Sequence, residues 1–424
     1  MVEMASSADQ RLPPGSGIRE FFSGHSMPVS LDFIKRLACF FVAVSIVGYF
    51  IDLLRQTRDN LTDGFGRPFG DDFINFWSGP YLAWHHRAAE IYNFLAFHTF
   101  EQSIVGNDLQ NYHYSYPPTL LVLMAPFAFV PYLPGLAIWL VAGWYAFYRA
   151  LRLAMPKGGA LLLAGATPAV FVNTIGAQNG TWTAALFGAG LGLLDRRPIV
   201  AGGCLGLLVC KPQLGLLIPL ALLAGRRWRA FAAAAVTAAA LIAIAALCFG
   251  PDIYGDYLRQ VARLRQFIME DGTGVWHRMI SVFVAARRLG ADVPEAYAVQ
   301  AVCSAVAALA VAAAWFRDAS FGLRNALLIL GSCMATPYLQ DYDMVFGALV
   351  VVWLWQDADV RAQIPESPLF LASAALLVIP LFSSAVGKVT DLQFGTLSFI
   401  PLFFIAAKCA LAAPRHLATP AAAE

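Results

Sequence analysis

Two adjacent carboxylates, Asp71 and Asp72, begin the densest group of reactive side chains in the sequence. Aromatic and aliphatic residues then recur at three- and four-residue spacing over residues 73–93, which predicts an amphipathic helix on a membrane surface. Carboxylates at the start of a helix can cap free N–H groups and interact favourably with the helix dipole. A carboxylate can also take a proton as a general base. Asp71 and Asp72 are therefore candidates for helix capping and for catalysis alike.

A lysine and two amides lie at the ends of apolar runs further along the chain. Lys211 precedes Pro212 and Gln213, with apolar residues directly on both sides of this turn. A lysine at membrane depth is costly and usually has a partner or a function. Its compact charge suits a lipid phosphate, although the side chain can also extend to the interface. Gln178 and Asn179 end another apolar run and form either a ligand-binding pair or a simple polar turn.

Tyrosines and carboxylates form two further groups of candidates. Tyr112, Tyr114 and Tyr116 fit an interfacial aromatic belt or the wall of a pocket for a sugar or lipid headgroup. Asp341 and Asp343 lie between two apolar runs. Because residues two apart do not share a helical face, we expect at most one of these two carboxylates to point into a cavity. The alternative is a solvated turn.

Basic side chains of the segment 250–295 could meet an anionic ligand. They are Arg263, Arg265, His277 and Arg278, and a solvated amphipathic helix would explain them equally. The sequence contains no paired-histidine metal motif, Walker loop or GxSxG motif. We therefore expect neither a metal nor a cofactor.

The composition places these residues in a polytopic membrane protein. The 424 residues are 59% hydrophobic and 13% charged, whereas soluble domains are about 45–50% apolar and about 25% charged. The net charge of +2 does not suggest a nucleic-acid partner. The seven cysteines lie in or beside apolar runs without a CxxC pair, which favours buried small hydrophobes.

Thirteen apolar stretches between residues 34 and 413 are candidates for membrane crossings. Basic clusters between them, beginning with Lys35 and Arg36, predict a cytoplasmic N-terminus by the positive-inside rule. Parity then requires that residues 117–133, which contain Pro117, Pro118 and Pro126, insert only partly. Twelve crossings remain, and both termini are cytoplasmic.

This topology predicts one transmembrane domain at residues 31–413, between disordered tails at residues 1–30 and 414–424. Its two large extracytoplasmic loops are residues 55–116 and 250–295. The unusual polar residues gather on this outer side, and that clustering indicates a site there.

The motifs of the chain resemble glycosyltransferase family 87, also called the DUF2029 family. The resemblance covers roughly residues 33–410 and rests on the following motifs in order: Asp72-Phe73, Phe76-Trp77, Leu82-Ala83, Ala88-Ala89, Ile91-Tyr92, Tyr116-Pro117-Pro118, Gln178-Asn179, Lys211-Pro212-Gln213, Pro337-Tyr338 and Tyr342-Asp343. The sequence departs from the family pattern at His86, commonly Gly, and at Asn93, often Asp.

The resemblance implies an all-α GT-C-like bundle of about 12 transmembrane helices, with amphipathic helices in the first outer loop. It implies inverting transfer of a hexose, with mannose best known, from a polyprenyl-phosphate donor to a lipid or glycan acceptor. Asp72 takes the place of the catalytic base, with Asp71 as helper or cap. We assign donor and phosphate binding to Lys211, Gln213, Arg278, His277, Tyr116, Gln178, Asn179, Tyr338, Asp341 and Asp343. The expected location is a bacterial-type plasma membrane, in contact with membrane lipids and with the active site outside.

Two other classes of protein are compatible with many membrane helices. A transporter or flippase for lipid-linked or small polar substrates often has inverted repeats and midplane charges, and no clear repeat is visible here. A structural membrane scaffold would leave the one-sided polar cluster unexplained.

Overall fold

The computed structural model describes residues 29–56 and 60–412, and this part of the chain is all-helical. The predicted tail 414–424, and residues 1–28 of the predicted tail 1–30, lie outside the described residues. The α-helices in chain order are α1 (Leu31–Gln56), α2 (Phe73–Trp84), α3 (Phe94–Val105), α4 (Pro118–Leu123), α5 (Tyr132–Ala154), α6 (Ala160–Ala166), α7 (Pro168–Ile175), α8 (Gly180–Leu193), α9 (Pro198–Leu207), α10 (Pro212–Gly215), α11 (Ile218–Ala224), α12 (Trp228–Phe249), α13 (Asp252–Leu264), α14 (Val282–Arg288), α15 (Val293–Phe316), α16 (Phe321–Ala335), α17 (Gly347–Gln356), α18 (Ala358–Gln363), α19 (Glu366–Thr390) and α20 (Ile400–Ala412).

Among residues 29–56 and 60–412, five helical segments are long and apolar enough to cross a membrane. They are Leu31–Arg55, Trp228–Phe249, Val293–Phe316, Glu366–Thr390 and Gly395–Ala412. Shorter apolar helices occur at Pro198–Cys210, Pro212–Ala224 and Phe321–Ala335. The chain is thus a helical membrane protein, and the predicted count of twelve crossings is not confirmed by these five segments.

The proline-rich segment 117–133 does not form a continuous membrane-crossing helix. It contains the six-residue helix α4 and a 3-10 segment, Ala125–Phe129. A six-residue helix is only about 9 Å long, whereas the hydrocarbon core is about 30 Å thick. Pro131 is the N-cap residue of the next helix, α5.

Helix α2 is buried, so the predicted helix on the membrane surface is wrong for this segment. Phe73, Ile74, Phe76 and Leu82 are all fully enclosed. Phe76 stacks on Trp139 of α5 with ring centroids 4.9 Å apart. The physical reason is that apolar residues surround α2 on all sides, and such a helix packs inside a protein.

A short backbone pairing joins the second large loop to the stretch before α17. Met279 and Gln340 form an isolated antiparallel bridge. The Ile280 N–H donates to the Leu339 carbonyl at 2.9 Å, and the Asp341 N–H donates to the Arg278 carbonyl at 3.0 Å. The two segments therefore hold each other in a fixed register.

A network of charges joins three loops at the N-terminal end of α12 and the C-terminal end of α15. Arg227 contacts Asp195 at 3.1 Å and Asp318 at 3.4 Å. Arg324 contacts the same two carboxylates, at 2.5 and 2.9 Å. Helix α12 has 22 residues, a length of roughly 33 Å. It therefore separates this network from α13 by about one membrane thickness.

Candidate active site

A cavity of about 1030 Å³ opens between the two large loops. Its wall combines the start of α2, the segment 110–116 and helix α13. Arg278 and Gln340, from the two segments that the Met279–Gln340 bridge joins, complete it. Six of the predicted site residues line this cavity: Asp71, Asp72, Tyr116, Gln178, Arg278 and Tyr338. The predicted gathering of distant polar residues is therefore present in the fold.

Asp72 occupies the N-cap position of α2 without a side-chain capping hydrogen bond. Its Oδ2 instead accepts a hydrogen bond from the Gln178 side-chain amide. Asn75 Nδ2 lies 3.4 Å from Oδ1. The side chain keeps 30% of its surface open. Asp72 therefore contacts two side-chain amides and remains accessible from the cavity.

The surroundings of Asp72 raise its pKa to about 7. Burial is the largest cause, because it disfavours the charged form, and the nearby charge of Asp71 adds to it. The guanidinium of Arg278 and the hydrogen bond from Gln178 act in the opposite direction. A carboxyl group with a pKa near neutrality is a suitable general base, because its proton affinity matches the working pH.

Asp71 is less available than its neighbour, because both carboxylate oxygens have partners. The Tyr112 hydroxyl donates to Oδ1 at 2.8 Å. Arg67 Nε lies 3.4 Å from Oδ2. Asp71 also has a backbone φ of 45°, in the left-handed region that Asp tolerates better than most residues. The sharp turn that results lets the two adjacent side chains take different environments.

Arg278 supplies a positive charge opposite Asp72. Its Nη1 lies 3.8 Å from Asp72 Oδ2, and its Nε lies 3.6 Å from Asp341 Oδ1. The guanidinium also stands over the ring of Tyr342, 5.6 Å from the centroid. Its side chain is 22% exposed. Arg278 can therefore meet an anion that enters the cavity.

Lys211 does not line this cavity, and its direct contact with a phosphate stays a prediction. Its ammonium group is 1% exposed and forms an ion pair with the fully buried Asp343. It also donates to Asn179 Oδ1 at 2.9 Å. A buried ammonium needs a counter-charge to compensate for lost hydration, and Asp343 supplies it. Asn179 and Asp343 are consequently absent from the cavity wall as well.

Three further predicted residues also lie off the cavity wall. Asp341 is 1% exposed and serves as a partner of Arg278. Burial lowers the pKa of His277 to about 4, and the positive charges of Lys388 and Arg278 add to this effect. Gln213 lies in α10, next to Lys211, and does not reach the cavity.

Several cavity residues were not predicted as site residues. Tyr342 lies between the two cations, with its ring centroid 4.6 Å from Lys211 Nζ. Gln260 of α13 and Gln340 also line the wall, as does Arg263, which the sequence had indicated as a possible contact for an anionic ligand. The regular spacing of polar residues along α13 could have indicated that one face of this helix lines a site. The position of Tyr342 could not be predicted in this way, because it depends on tertiary packing. No group of side chains suited to hold a metal ion occurs within residues 29–56 and 60–412.

Comparison with known proteins gives one match. The family model for "Glycosyltransferase family 87" matches residues 114–337, a little over half of the chain. The matched range includes Tyr116, Gln178 and Arg278 and begins after Asp72. No curated protein and no solved structure matches the chain.

Proposed function

Because this chain belongs to glycosyltransferase family 87, we propose that it moves a hexose from a polyprenyl-phosphate donor to a lipid or glycan acceptor. Mannose is the proposed sugar, and a GT-C-like architecture of about twelve crossings is the proposed frame. The observation that carries this proposal is the pairing of Asp72 with Arg278 across one open cavity, 3.8 Å apart. A base and a cation at that separation suit a reaction that removes a proton and releases a phosphate.

Asp72 acts as the base in this mechanism. It takes the proton of the acceptor hydroxyl while the hydroxyl oxygen attacks the anomeric carbon from the face opposite the phosphate. The bond between the anomeric carbon and the phosphate oxygen breaks, and the configuration inverts. The lipid phosphate leaves with the electron pair as a stable anion, so no general acid is required.

Arg278 stabilises the departing phosphate, since a preorganised cation favours charge that develops in the transition state. When the donor phosphate engages Arg278, the contact between Arg278 and Asp72 weakens. Because Arg278 lowers the pKa of Asp72, this exchange makes Asp72 a stronger base once the donor is bound. Tyr116 and Tyr338, both on the cavity wall, are the proposed walls of the sugar site.

The proposed side of the membrane is the extracytoplasmic one, in a bacterial-type plasma membrane. The network that contains Arg227 and Arg324 lies at one end of α12 and α15, and the cavity lies beyond the other end. Basic loops remain in the cytoplasm. This separation by a full helix length supports an active site that faces outward.

Transfer of radiolabel by the purified protein tests the function. The donor is undecaprenyl-phosphate mannose in nanodiscs, and the acceptors are glycolipids extracted from a strain that lacks the gene. We expect Asp72→Asn to lower kcat at least about 100-fold, since a general base contributes about that factor or more. Asp252→Asn is the matched control, which keeps most of the activity, because Asp252 is exposed at the start of α13 and does not line the cavity. Full transfer by the Asp72 variant would refute the assignment, and movement of label across the bilayer without a new glycosidic bond would favour a transporter.

A further inference from the structure

A second cavity, of about 430 Å³, opens beside the first one. Its wall consists of the turn 89–95 and one face of α13. Phe94, Gln260 and Arg263 line both cavities. The two cavities are therefore neighbours, and a ligand held at Asp72 can continue from the first into the second.

The side chains of this second cavity suit hydroxyl groups. Asp256 and Arg259 form an ion pair whose members remain 40% and 68% exposed, so both can still bind a ligand. Asn93 also lines this cavity, and its side-chain oxygen caps α3 by accepting from the Ala96 N–H at 3.2 Å. A sugar hydroxyl both donates and accepts hydrogen bonds, and this wall offers both kinds of partner.

An aromatic ring adds an apolar platform to the polar wall. Phe94 is 41% exposed, although large apolar side chains are usually enclosed. An aromatic face can pack against the C–H face of a sugar ring while polar neighbours bind its hydroxyls. The cavity volume also lies within the range of about 300–1000 Å³ that is common for ligand pockets.

The geometry of α13 argues against an acyl or polyprenyl chain as the occupant. At about 100° per residue, Asp256, Arg259 and Arg263 share one face of α13, and Leu258 and Val261 lie on the opposite face. Leu258 is 64% exposed and Val261 is 37% exposed. An amphipathic helix at an interface turns its apolar face to lipid. The second cavity is consequently on the side of α13 that faces away from lipid.

We propose that the second cavity is an acceptor subsite, which binds one or more sugar rings behind the ring that attacks. This inference rests on the proposed function and narrows its acceptor to a glycan-bearing molecule, either a glycolipid headgroup or a soluble oligosaccharide. The shared wall at Phe94 and Arg263 is where the acceptor passes from one cavity to the other.

The test compares acceptors with different numbers of rings. Octyl α-mannoside, octyl α-mannobioside and octyl α-mannotrioside are offered with undecaprenyl-phosphate mannose, and free mannotriose replaces the octyl form in a parallel arm. We expect the wild-type kcat/KM to be higher for two or three rings than for one. Arg259→Ala should reduce the ratio between the long and the short acceptor about tenfold, since a hydrogen bond to a charged group contributes about that factor.

Asp256→Asn provides a second variant that keeps the size of the side chain, and it should reduce the same ratio. Arg229→Ala is the matched control, because Arg229 is an exposed arginine at the far end of α12. An unchanged ratio in both cavity variants, or a wild-type enzyme without preference for longer acceptors, overturns the subsite. Failure of the wild-type enzyme to transfer to these acceptors and to the glycolipids extracted from the strain that lacks the gene overturns the proposed function instead. Comparable transfer to free mannotriose identifies the soluble oligosaccharide as the source of the glycan, and its absence identifies the glycolipid.

Discussion

The pH dependence of transfer tests whether Asp72 works between two charges of opposite sign. Asp72 can take a proton only when it is ionised, so kcat/KM should rise as the pH rises through its pKa. That pKa is about 7, because burial and Asp71 raise it more than Arg278 and Gln178 lower it. We therefore expect the wild-type profile to have its midpoint near pH 7.

The effect of Arg278 on this midpoint can be worked out from the structure. Two unit charges about 4 Å apart interact by about 4 kcal/mol near a protein surface and by about 1 kcal/mol in bulk water. Arg278 and Asp72 lie 3.8 Å apart and are 22% and 30% exposed, so solvent screening brings the value toward the lower figure. One pKa unit corresponds to about 1.4 kcal/mol. Arg278→Gln should therefore raise the midpoint by about one to two pH units, whereas Asp71→Asn should lower it.

The assay is the initial rate of label transfer at low donor concentration, measured from acid to alkaline pH for each variant. Arg278→Lys serves as the control for charge, because it keeps the positive charge and should displace the midpoint less than Arg278→Gln. The midpoint is independent of the maximal rate, so loss of phosphate binding does not obscure it. Shifts of the two variants in the same direction, or no shift for Arg278→Gln, would show that Asp72 is not the titrating base.

Three further predictions concern stability in detergent, measured as Tm. Lys211→Met should destabilise the protein by about 3–5 kcal/mol, because it leaves Asp343 buried without a counter-charge. Adding Asp343→Asn to this variant should restore much of the lost stability, and a double variant without any restoration would contradict the ion pair. Glu101 is fully buried and its carboxyl oxygens have no hydrogen-bond partner among the described residues. Burial raises the pKa of the Glu101 carboxyl. The stability that protonated Glu101 contributes is therefore complete below the pKa of Glu101 in the unfolded chain and is lost as the pH rises toward its pKa in the folded chain. Glu101→Gln should make the fall in Tm between pH 5 and pH 8 smaller than in the wild type, and an equal fall would contradict this prediction. A methyl group at Gly202 would overlap the Ala230 carbonyl oxygen of α12, so Gly202→Ala should cost about 1–3 kcal/mol, whereas equal Tm values would indicate that the helices can separate without cost.

The chemical type of the site residues could be predicted from the sequence, because polar groups beside long apolar runs are costly. Asp72, Gln178 and Tyr338 are more than 100 residues apart in the chain, and all three line the cavity. The membrane restricts the chain to a small set of arrangements, and in such a chain the ends of apolar runs are informative.

The partners of the buried charges could not be predicted, because they depend on tertiary contacts. Lys211 and Asp343 are 132 residues apart, and nothing in their local sequences distinguishes an ion pair from two ligand-binding residues. The burial of α2 was missed for a related reason. Its apolar residues would suit a membrane surface as well as a protein interior, and tertiary packing such as that of Trp139 against Phe76 shows that protein covers it.

We infer that Lys211 acts on the cavity through the backbone. Its partner Asp343 also accepts a hydrogen bond from the Gln340 N–H at 3.1 Å, and Gln340 pairs with Met279 in the bridge beside Arg278. An ion pair that is this deeply buried contributes little net stability against an apolar pair of similar volume, so its value here lies in fixing one arrangement. The bridge fixes the backbone of Arg278, whose side chain lies 3.8 Å from Asp72 and lowers the pKa of that carboxyl. Lys211 does not line the cavity, but through Asp343 and Gln340 it holds the segment that pairs with Arg278.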